Sequence, residues 1–318
     1  MKPAFTVTEA TQTLERGAVD ESNEALNLAR SKLFDLGEIE VSFDDTTKTI
    51  WSYMTPLGSP NFSTNMLRDI VMMQNEIQKL FSSVENSLKY FVFASKFPNV
   101  FNLGGDLSLF SELITRKDRA SLTNYGLQCV RSFYKNYISL DLPIVTISLV
   151  QGDALGGGFE SALSFNVIIA ERSAKLGLPE ANFGMFPGMG AHAKLRRLLG
   201  EAQAERMILS GKIYTAEELY DMGIVHVLAD DGQGLEVANH YIKRTSSKHD
   251  GLRRTFSAMR EVNAITLDEL ERVVRIWVDA ALNIEPHNLR MMQRLSAAQH
   301  KLRLSYVNAP ALAAAALR

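Results

Sequence analysis

Apolar residues in the first part of the chain follow two patterns, one typical of strands and one typical of helices. Residues 39–43 alternate between apolar and polar side chains, and a second apolar run follows at residues 49–54 after two turn-favouring aspartates. These two runs predict a hairpin. From Ser63 to Leu80, apolar residues recur every three or four positions, which predicts a long amphipathic helix.

Strand and helix patterns then alternate along the chain. The apolar runs at residues 90–95, 144–150 and 167–170 are typical of buried strands, and residues 107–139 have a helical pattern. From residue 190 onward the pattern is almost entirely helical, with breaks at glycines and a proline. Strands separated by helices and followed by a helical end predict an α/β core with an α-helical C-terminal region.

The same patterns suggest how the chain is divided. We expect a flexible extension over residues 1–30, a core over 31–230, a helical region over 231–308 and a tail over 309–318. The first 24 residues lack an apolar segment of signal-peptide length. No segment approaches the roughly 20 apolar residues of a membrane span. We therefore expect a cytoplasmic protein without a membrane partner.

Composition narrows the class of protein. The chain has 318 residues, of which 46% are hydrophobic and 22% charged, a profile typical of a globular protein with a sizeable core. A net charge of −2 gives no reason to expect a nucleic-acid partner. Cys129 is the single cysteine, which excludes an internal disulfide framework and a thiolate metal cluster. The histidines show no metal-binding spacing, so we expect neither a metal nor a cofactor.

Glycines are densest at residues 152–158, between a predicted strand and a predicted helix. Glycines at such a place let the backbone approach a ligand and leave N–H groups unpaired. This segment matches neither of two nucleotide-binding motifs. Ser161 stands where a dinucleotide fingerprint needs glycine, and Phe159-Glu160 stand where a P-loop needs Lys-Ser/Thr. The chain also lacks the G-x-S-x-G elbow of α/β-hydrolases.

Two carboxylates follow this glycine segment. Glu160 lies at the start of the predicted helix, and Glu180 follows an extended piece at residues 175–178 that could return the chain to the same cleft. Two carboxylates beside backbone N–H donors suit proton transfer around a carbonyl. Alternatively, Glu160 is an acid favoured by the helix dipole and Glu180 is a solvated loop acid. Spacing alone leaves both interpretations open and favours the second.

The segments that carry these acids resemble the crotonase (enoyl-CoA hydratase/isomerase) superfamily. The matching segments are GDALGGGFE at 152–160, GLPE at 177–180 and FPGMG at 186–190. Weaker matches, at residues 61–63, 209–211 and 222–225, extend the resemblance to roughly residues 35–305.

Within the superfamily the chain is most similar to diffusible signal factor synthases, which make cis-2-unsaturated fatty acid signals. The segments behind this narrower resemblance are 100–107, 149–152, 186–191 and 276–279. It implies a crotonase-like spiral of ββα units with a helical C-terminal trimerisation region, and hence a homotrimer or a dimer of trimers.

The resemblance also implies a site for an acyl thioester. The backbone N–H groups of Gly105 and Gly157 would hold the thioester oxygen, and Glu160 and Glu180 would be the catalytic acids. One such N–H donor is typically worth about 10²- to 10³-fold in rate. Six further residues are expected to bind substrate: Gly104, Leu155, Gly156, Met185, Met189 and Trp277.

The implied activity is that of a dehydratase and thioesterase. It would convert a medium-chain 3-hydroxyacyl thioester, carried on acyl carrier protein, to a free cis-2-enoic acid. One alternative is an ordinary enoyl-CoA hydratase or isomerase that retains the thioester of coenzyme A. Another is an inactive regulatory module, and a sensor or regulator protein is a further possible partner of the synthase.

Other residues have simpler interpretations. We expect His192 at a helix start or on the surface, Cys129 in the core and Asp106 as a helix cap. Three basic residues form a cluster on one predicted helix, namely Lys194, Arg196 and Arg197. We interpret this cluster as a solvated face, or alternatively as a docking site for the carrier protein or for coenzyme A phosphates.

Overall fold

The computed structural model describes residues 34–83 and 87–316, with side chains up to residue 304. The predicted extension over residues 1–30 lies outside the described residues, and the other predicted divisions stay predictions. The described strands are β1 (Ile39–Asp44), β2 (Thr49–Met54), β3 (Tyr90–Ser95), β4 (Val100–Asn102), β5 (Val145–Val150), β6 (Asp153–Leu155), β7 (Val167–Glu171), β8 (Lys175–Gly177), β9 (Ile213–Thr215) and β10 (Val227–Ala229).

Helices cover the ends of these strands and form the C-terminal part of the described chain. They are α1 (Thr64–Phe81), α2 (Leu107–Thr115), α3 (Arg119–Tyr137), α4 (Gly157–Leu163), α5 (Ala191–Leu199), α6 (Glu201–Ser210), α7 (Ala216–Asp221), α8 (Gly234–Thr245), α9 (His249–Val262), α10 (Leu267–Leu282) and α11 (Pro286–Ala316). Short 3₁₀ helices lie at Ser139–Asp141, Pro179–Phe183 and Ser246–Lys248.

The strands form two sheets. The larger has the order β1-β2-β3-β5-β7-β10, and the smaller has the order β4-β6-β8-β9. β1 and β2 pair antiparallel as the predicted hairpin, whereas β2, β3, β5, β7 and β10 are parallel to one another. Each successive pair, β3/β4, β5/β6 and β7/β8, places its first strand in the larger sheet and its second in the smaller one. The chain therefore advances as a spiral, and the α/β class is confirmed.

Aromatic side chains pack along one face of the larger sheet. Phe93 stacks on Phe165 with ring centroids 5.8 Å apart, and Phe101 meets Phe93 edge-on at 6.2 Å. All three are nearly inaccessible to solvent. Truncating such a ring to alanine typically costs about 3–5 kcal/mol of stability, so this cluster helps to hold the strand ends in place. Among the described residues, no helix combines the length and the apolar composition needed to cross a bilayer.

Four strands were not predicted from the pattern. β4, β6, β9 and β10 contain three residues each, too few for an alternating pattern to be recognised. The prediction of an almost entirely helical chain after residue 190 was therefore wrong at β9 and β10. The predicted helical stretch 107–139 is also interrupted, because the chain turns between α2 and α3 at Lys117, whose φ is +54°.

Candidate active site

Glu160 is positioned by a tight turn between β6 and α4. Gly156 has a φ of +53° and donates its N–H to Gly177 O at 2.8 Å, which fixes the start of α4 against β8. A side chain on Gly158 is excluded, because its Cβ would lie 2.0 Å from Asn102 O. These close approaches explain the glycine segment: they let α4 begin at the sheet edge, where its first turns carry Glu160 into the interior.

Glu160 is held by backbone N–H groups. Its Oε1 accepts hydrogen bonds from Met189 N at 2.8 Å and from Ala191 N at 2.9 Å. The side chain is buried, and desolvation raises its pKa to about 7, although the hydrogen bonds from residues 188–191 oppose that rise by favouring the carboxylate. Glu160 is therefore a carboxyl that can gain or lose a proton near neutral pH.

Glu180 lies opposite, on the 3₁₀ helix Pro179–Phe183. Its Oε2 is buried and has no hydrogen-bond partner among the described residues. Burial, together with the charge of Glu160, raises the pKa of Glu180 to about 8. A Cβ on Gly156 would lie 2.6 Å from Glu180 Oε1, so the glycine leaves room for this carboxyl. The two acids thus interact electrostatically, and near neutral pH they share a proton.

Two backbone N–H groups next to these acids are available to a ligand. Neither Gly105 N nor Gly157 N donates a hydrogen bond within the described part of the chain. A Cβ on Gly157 would lie 3.6 Å from Gly105 N, which shows how closely the two segments approach. Gly104 needs its φ of +88°, and its N–H is anchored to Asn102 Oδ1 at 2.8 Å. The pair has the composition of an oxyanion hole.

One cavity of about 590 Å³ brings these groups together. All the residues predicted for the site line it, namely Gly104, Gly105, Leu155, Gly156, Gly157, Glu160, Glu180, Met185, Met189 and Trp277. Asp153, Glu160 and Glu180 are the acidic side chains of its wall, and among the described residues no lysine, arginine or histidine lines it. The remaining wall is mostly apolar, which suits a hydrocarbon chain attached to an uncharged acyl group.

Sequence reasoning missed a large part of this wall. α3 contributes Tyr125 and Cys129, and α10 contributes Val274 beside the predicted Trp277. α11 closes the cavity with one face, formed by Met292, Leu295, Ala298, Gln299 and Leu302. The three- and four-residue spacing of this face was a usable signal. It could not show which helix surface turns towards the acids.

Trp277 both packs and lines the cavity. Its ring meets Phe110 edge-on at 5.0 Å, and a Cβ on Gly188 would lie 2.7 Å from Trp277 Cδ1. The indole is therefore held between α2 and the loop that precedes α5. Of the rest of the predicted stripe on α10, Leu270 and Ala281 are buried in the core, Val274 is buried at the cavity wall and Val273 is half-buried.

The other candidates have structural positions. Asp106 caps α2, because its Oδ1 accepts hydrogen bonds from Ser108 N and Leu109 N, both at 3.1 Å. Cys129 is buried as expected, but it also lines the cavity, and burial raises its thiol pKa far above the ordinary value. His192 lies in the first turn of α5, as expected, and is half-buried, with its Nε2 lacking a hydrogen-bond partner among the described residues.

The basic cluster is not a free face. Arg197 forms two hydrogen bonds of 3.0 Å with Glu269, and Arg196 pairs with Glu201. Lys194 is half-buried over the Tyr137 ring at 5.6 Å, and burial lowers its pKa to about 8. The three side chains therefore point towards different neighbours, and the interpretation as a shared docking site loses its basis.

Comparison with known structures supports the fold. DspI of Pseudomonas aeruginosa superposes with a TM-score of 0.63 at 24% identity, covering 76% of this chain and 97% of that chain. An enoyl-CoA hydratase of Bacillus halodurans superposes with a TM-score of 0.68 at 20% identity, covering 81% and 100%. These likenesses confirm the α/β crotonase-like fold.

Curated relatives match over shorter segments. A protein described as a probable enoyl-CoA hydratase of Bacillus subtilis is 37% identical over 131 residues, 41% of this chain and 48% of that protein. The mitochondrial methylglutaconyl-CoA hydratase of Rattus norvegicus is 30% identical over 180 residues, 56% of this chain and 53% of that protein. The matches therefore span about half the length of these relatives. The model of the family described as enoyl-CoA hydratase/isomerase matches residues 63–276, well over half of the chain, and the chain accordingly belongs to this family.

Proposed function

We propose that the protein is a cytoplasmic dehydratase and thioesterase that acts on a medium-chain 3-hydroxyacyl thioester of acyl carrier protein. Its product would be a free cis-2-enoic acid that serves as a quorum-sensing signal. The observation that carries the proposal is a pair of carboxyls, buried Glu160 and half-buried Glu180, in one largely apolar cavity with two glycine amides that are unpaired among the described residues. The narrower resemblance of the sequence to diffusible signal factor synthases supports this choice of substrate and product.

The neighbours of each acid suggest which atoms it serves. Glu180 Oε1 lies beside Gly156, and Gly157 is the next residue, whose N–H would hold the thioester oxygen. We therefore assign Glu180 to the carbonyl carbon and the adjacent α-carbon. Glu160, anchored by Met189 N and Ala191 N, is assigned to the 3-hydroxyl one carbon further along the chain.

In the first step, ionised Glu180 removes the α-proton while protonated Glu160 donates its proton to the departing hydroxyl, which leaves as water. The enolate charge is stabilised by Gly105 N and Gly157 N. This step needs the shared proton on Glu160 rather than on Glu180. Burial raises the pKa of both acids, so either carboxyl can carry the shared proton near neutral pH.

In the second step, the thioester is hydrolysed after the proton has returned to Glu160. Glu180 takes a proton from a water molecule as the water attacks the carbonyl carbon, and the tetrahedral oxyanion occupies the same pair of amides. The carbon–sulfur bond then breaks, and the leaving thiolate takes the proton from Glu180. The acid is released and the pair again holds one proton.

A second candidate is an ordinary enoyl-CoA hydratase that retains its thioester. The names of the curated relatives favour it, since both matched proteins quoted above are described as hydratases of coenzyme A thioesters. The same two acids would then exchange water with the double bond, and no carbon–sulfur bond would break.

Mass spectrometry of the products separates the two candidates. Purified protein is incubated with a 3-hydroxyacyl carrier protein and, separately, with the matching 2-enoyl coenzyme A. Free cis-2-enoic acid and unloaded carrier are expected. A product that remains a thioester would contradict the thioesterase step and favour the hydratase. Recovery of unchanged substrates would contradict both and favour the inactive module.

A further inference from the structure

Helix α11 has an unusual distribution of charge. Residues 286–304 contain Arg290, Arg294, Lys301 and Arg303, but none of the 36 aspartates and glutamates of a chain whose net charge is −2. The segment is therefore a local excess of positive charge on an otherwise acidic molecule. It also forms part of the cavity wall, so this charge lies next to the proposed active site.

Three of these four basic residues share one side of α11, whereas Arg303 lies about 20° around the helix from the cavity-lining Met292. Arg290, Arg294 and Lys301 are separated by four and seven residues, which places them on one face and defines the basic stripe. Residues 292 and 294 differ by about 200° around the helix, so the stripe lies opposite the cavity-lining Met292. All three stripe side chains are exposed, and none forms a salt bridge with a described residue.

We propose that the basic stripe docks an acidic carrier protein that delivers the acyl thioester to the cavity; this inference rests on the proposed function. The stripe extends over twelve residues, about 16 Å along a helix. That length suits a row of carboxylates on a protein surface, whereas a single diphosphate group would use only part of it. Since the stripe lies on a helix that forms part of the cavity wall, a docked carrier would stand next to the cavity.

A lipid surface is a poorer match for this helix. Amphipathic helices that bind membranes insert their apolar face between the lipids. On α11 that face belongs to the cavity: Met292 is only 1% exposed, and Gln299 accepts a hydrogen bond from Asn61 Nδ2 at 3.2 Å. The stripe itself contains only basic side chains, which fits an acidic protein partner better than a bilayer; elsewhere on α11, Met291, Leu295, Leu302 and Leu304 are 37–46% exposed.

The test compares one acyl group on three carriers. The double variant R290E/R294E is assayed with the 3-hydroxyacyl group on acyl carrier protein, on coenzyme A and on N-acetylcysteamine, a small uncharged thiol. R244E is the matched control, because Arg244 is an exposed arginine on α8, which contributes no residue to the cavity wall. Folding is checked by thermal unfolding. If R290E/R294E does not fold, R290Q/R294Q and a salt titration of the wild type replace it.

We expect kcat/KM for the carrier thioester to fall about tenfold or more, mainly through KM, since electrostatic steering changes association by roughly 10- to 1,000-fold. Turnover of the N-acetylcysteamine thioester should not change, and R244E should behave as wild type. Unchanged carrier turnover would overturn the proposal. If kcat/KM for the coenzyme A thioester falls equally, the stripe binds the phosphates of coenzyme A instead. If kcat/KM for the N-acetylcysteamine thioester also falls equally, the substitutions have damaged the cavity.

Direct binding keeps this test separate from the test of the proposed function. If the wild type converts none of the three thioesters, the proposed function fails. Docking is then decided by calorimetric titration of wild type and R290E/R294E with the acyl carrier protein. Weaker binding by the variant supports docking and equal binding overturns it. If R290E/R294E binds the carrier as tightly as wild type but no longer sediments with phosphatidylglycerol vesicles, the docking proposal is overturned and the stripe is assigned to a membrane.

Discussion

Replacing Glu180 by glutamine should abolish turnover and also stabilise the fold at alkaline pH. Glu180 is half-buried, its Oε2 is buried without a partner among the described residues, and desolvation together with the charge of Glu160 raises its pKa from 4.5 to about 8. The folded state therefore binds this proton more tightly than the unfolded state does. Below about pH 4.5 the carboxyl is neutral in both states. As the pH rises towards 8, ionisation favours the unfolded chain.

The magnitude follows from the two pKa values. A carboxyl whose pKa rises from 4.5 to about 8 on folding lowers the free energy of unfolding by roughly 5 kcal/mol once the pH exceeds the folded value. Glu180→Gln removes this titration. The buried amide costs about 1–3 kcal/mol at every pH, because it too lacks a partner. The variant should thus be slightly less stable than wild type at pH 5 and more stable at pH 9.

Urea unfolding of both proteins at pH 5, 7 and 9 measures this difference. Glu218→Gln is a control of opposite sign, because hydrogen bonds with Lys212 lower the pKa of exposed Glu218. A lowered pKa stabilises the fold above the unfolded value and loses that effect as the pH falls. Glu218→Gln should therefore be slightly less stable than wild type at neutral pH, and this difference should become smaller in acid. If the Glu180→Gln difference stays constant between pH 5 and 9, our account of this carboxyl is wrong.

Three further predictions concern catalysis, the acyl chain and assembly. Glu160→Gln should abolish product formation while circular dichroism stays native, and near-normal turnover would contradict a mechanism that needs both acids. Trp277→Ala should shift the preferred chain length and spare short substrates, because the indole lines the cavity; an equal loss at every length, together with a lower melting temperature, would make Trp277 purely core. Light scattering should report a trimer or hexamer, since α9 and α10 expose Met259, Val262 and Ile276 by 60% or more; a monomer at micromolar concentration would refute this.

The longer elements and the polar site were predictable because their signals are local. The hairpin, α1 and the strands at residues 90–95 and 167–171 each contain enough residues for a period to show. The glycine segment and the two acids carried the family resemblance, and the cavity brings them together. The three-residue strands and the role of α11 were not predictable, since the latter depends on contacts between residues far apart in sequence, such as Asn61 and Gln299, which are 238 positions apart. Similarly, the sequence could not show that Arg197, predicted to lie on a solvated face, forms hydrogen bonds with Glu269.

The two acids of the cavity and the wall formed by α10 and α11 come from separate parts of the chain. Glu160 on α4, Glu180 on the 3₁₀ helix Pro179–Phe183 and the two glycines with unpaired amides all come before residue 181, whereas Val274, Trp277 and the lining face of α11 come after residue 270. Mutations in the late segment can therefore lengthen or shorten the space for a hydrocarbon chain without moving the reacting groups. For protein engineering, this means that the length of the cavity can be changed by exchanging α10 and α11 between relatives while Glu160 and Glu180 are retained.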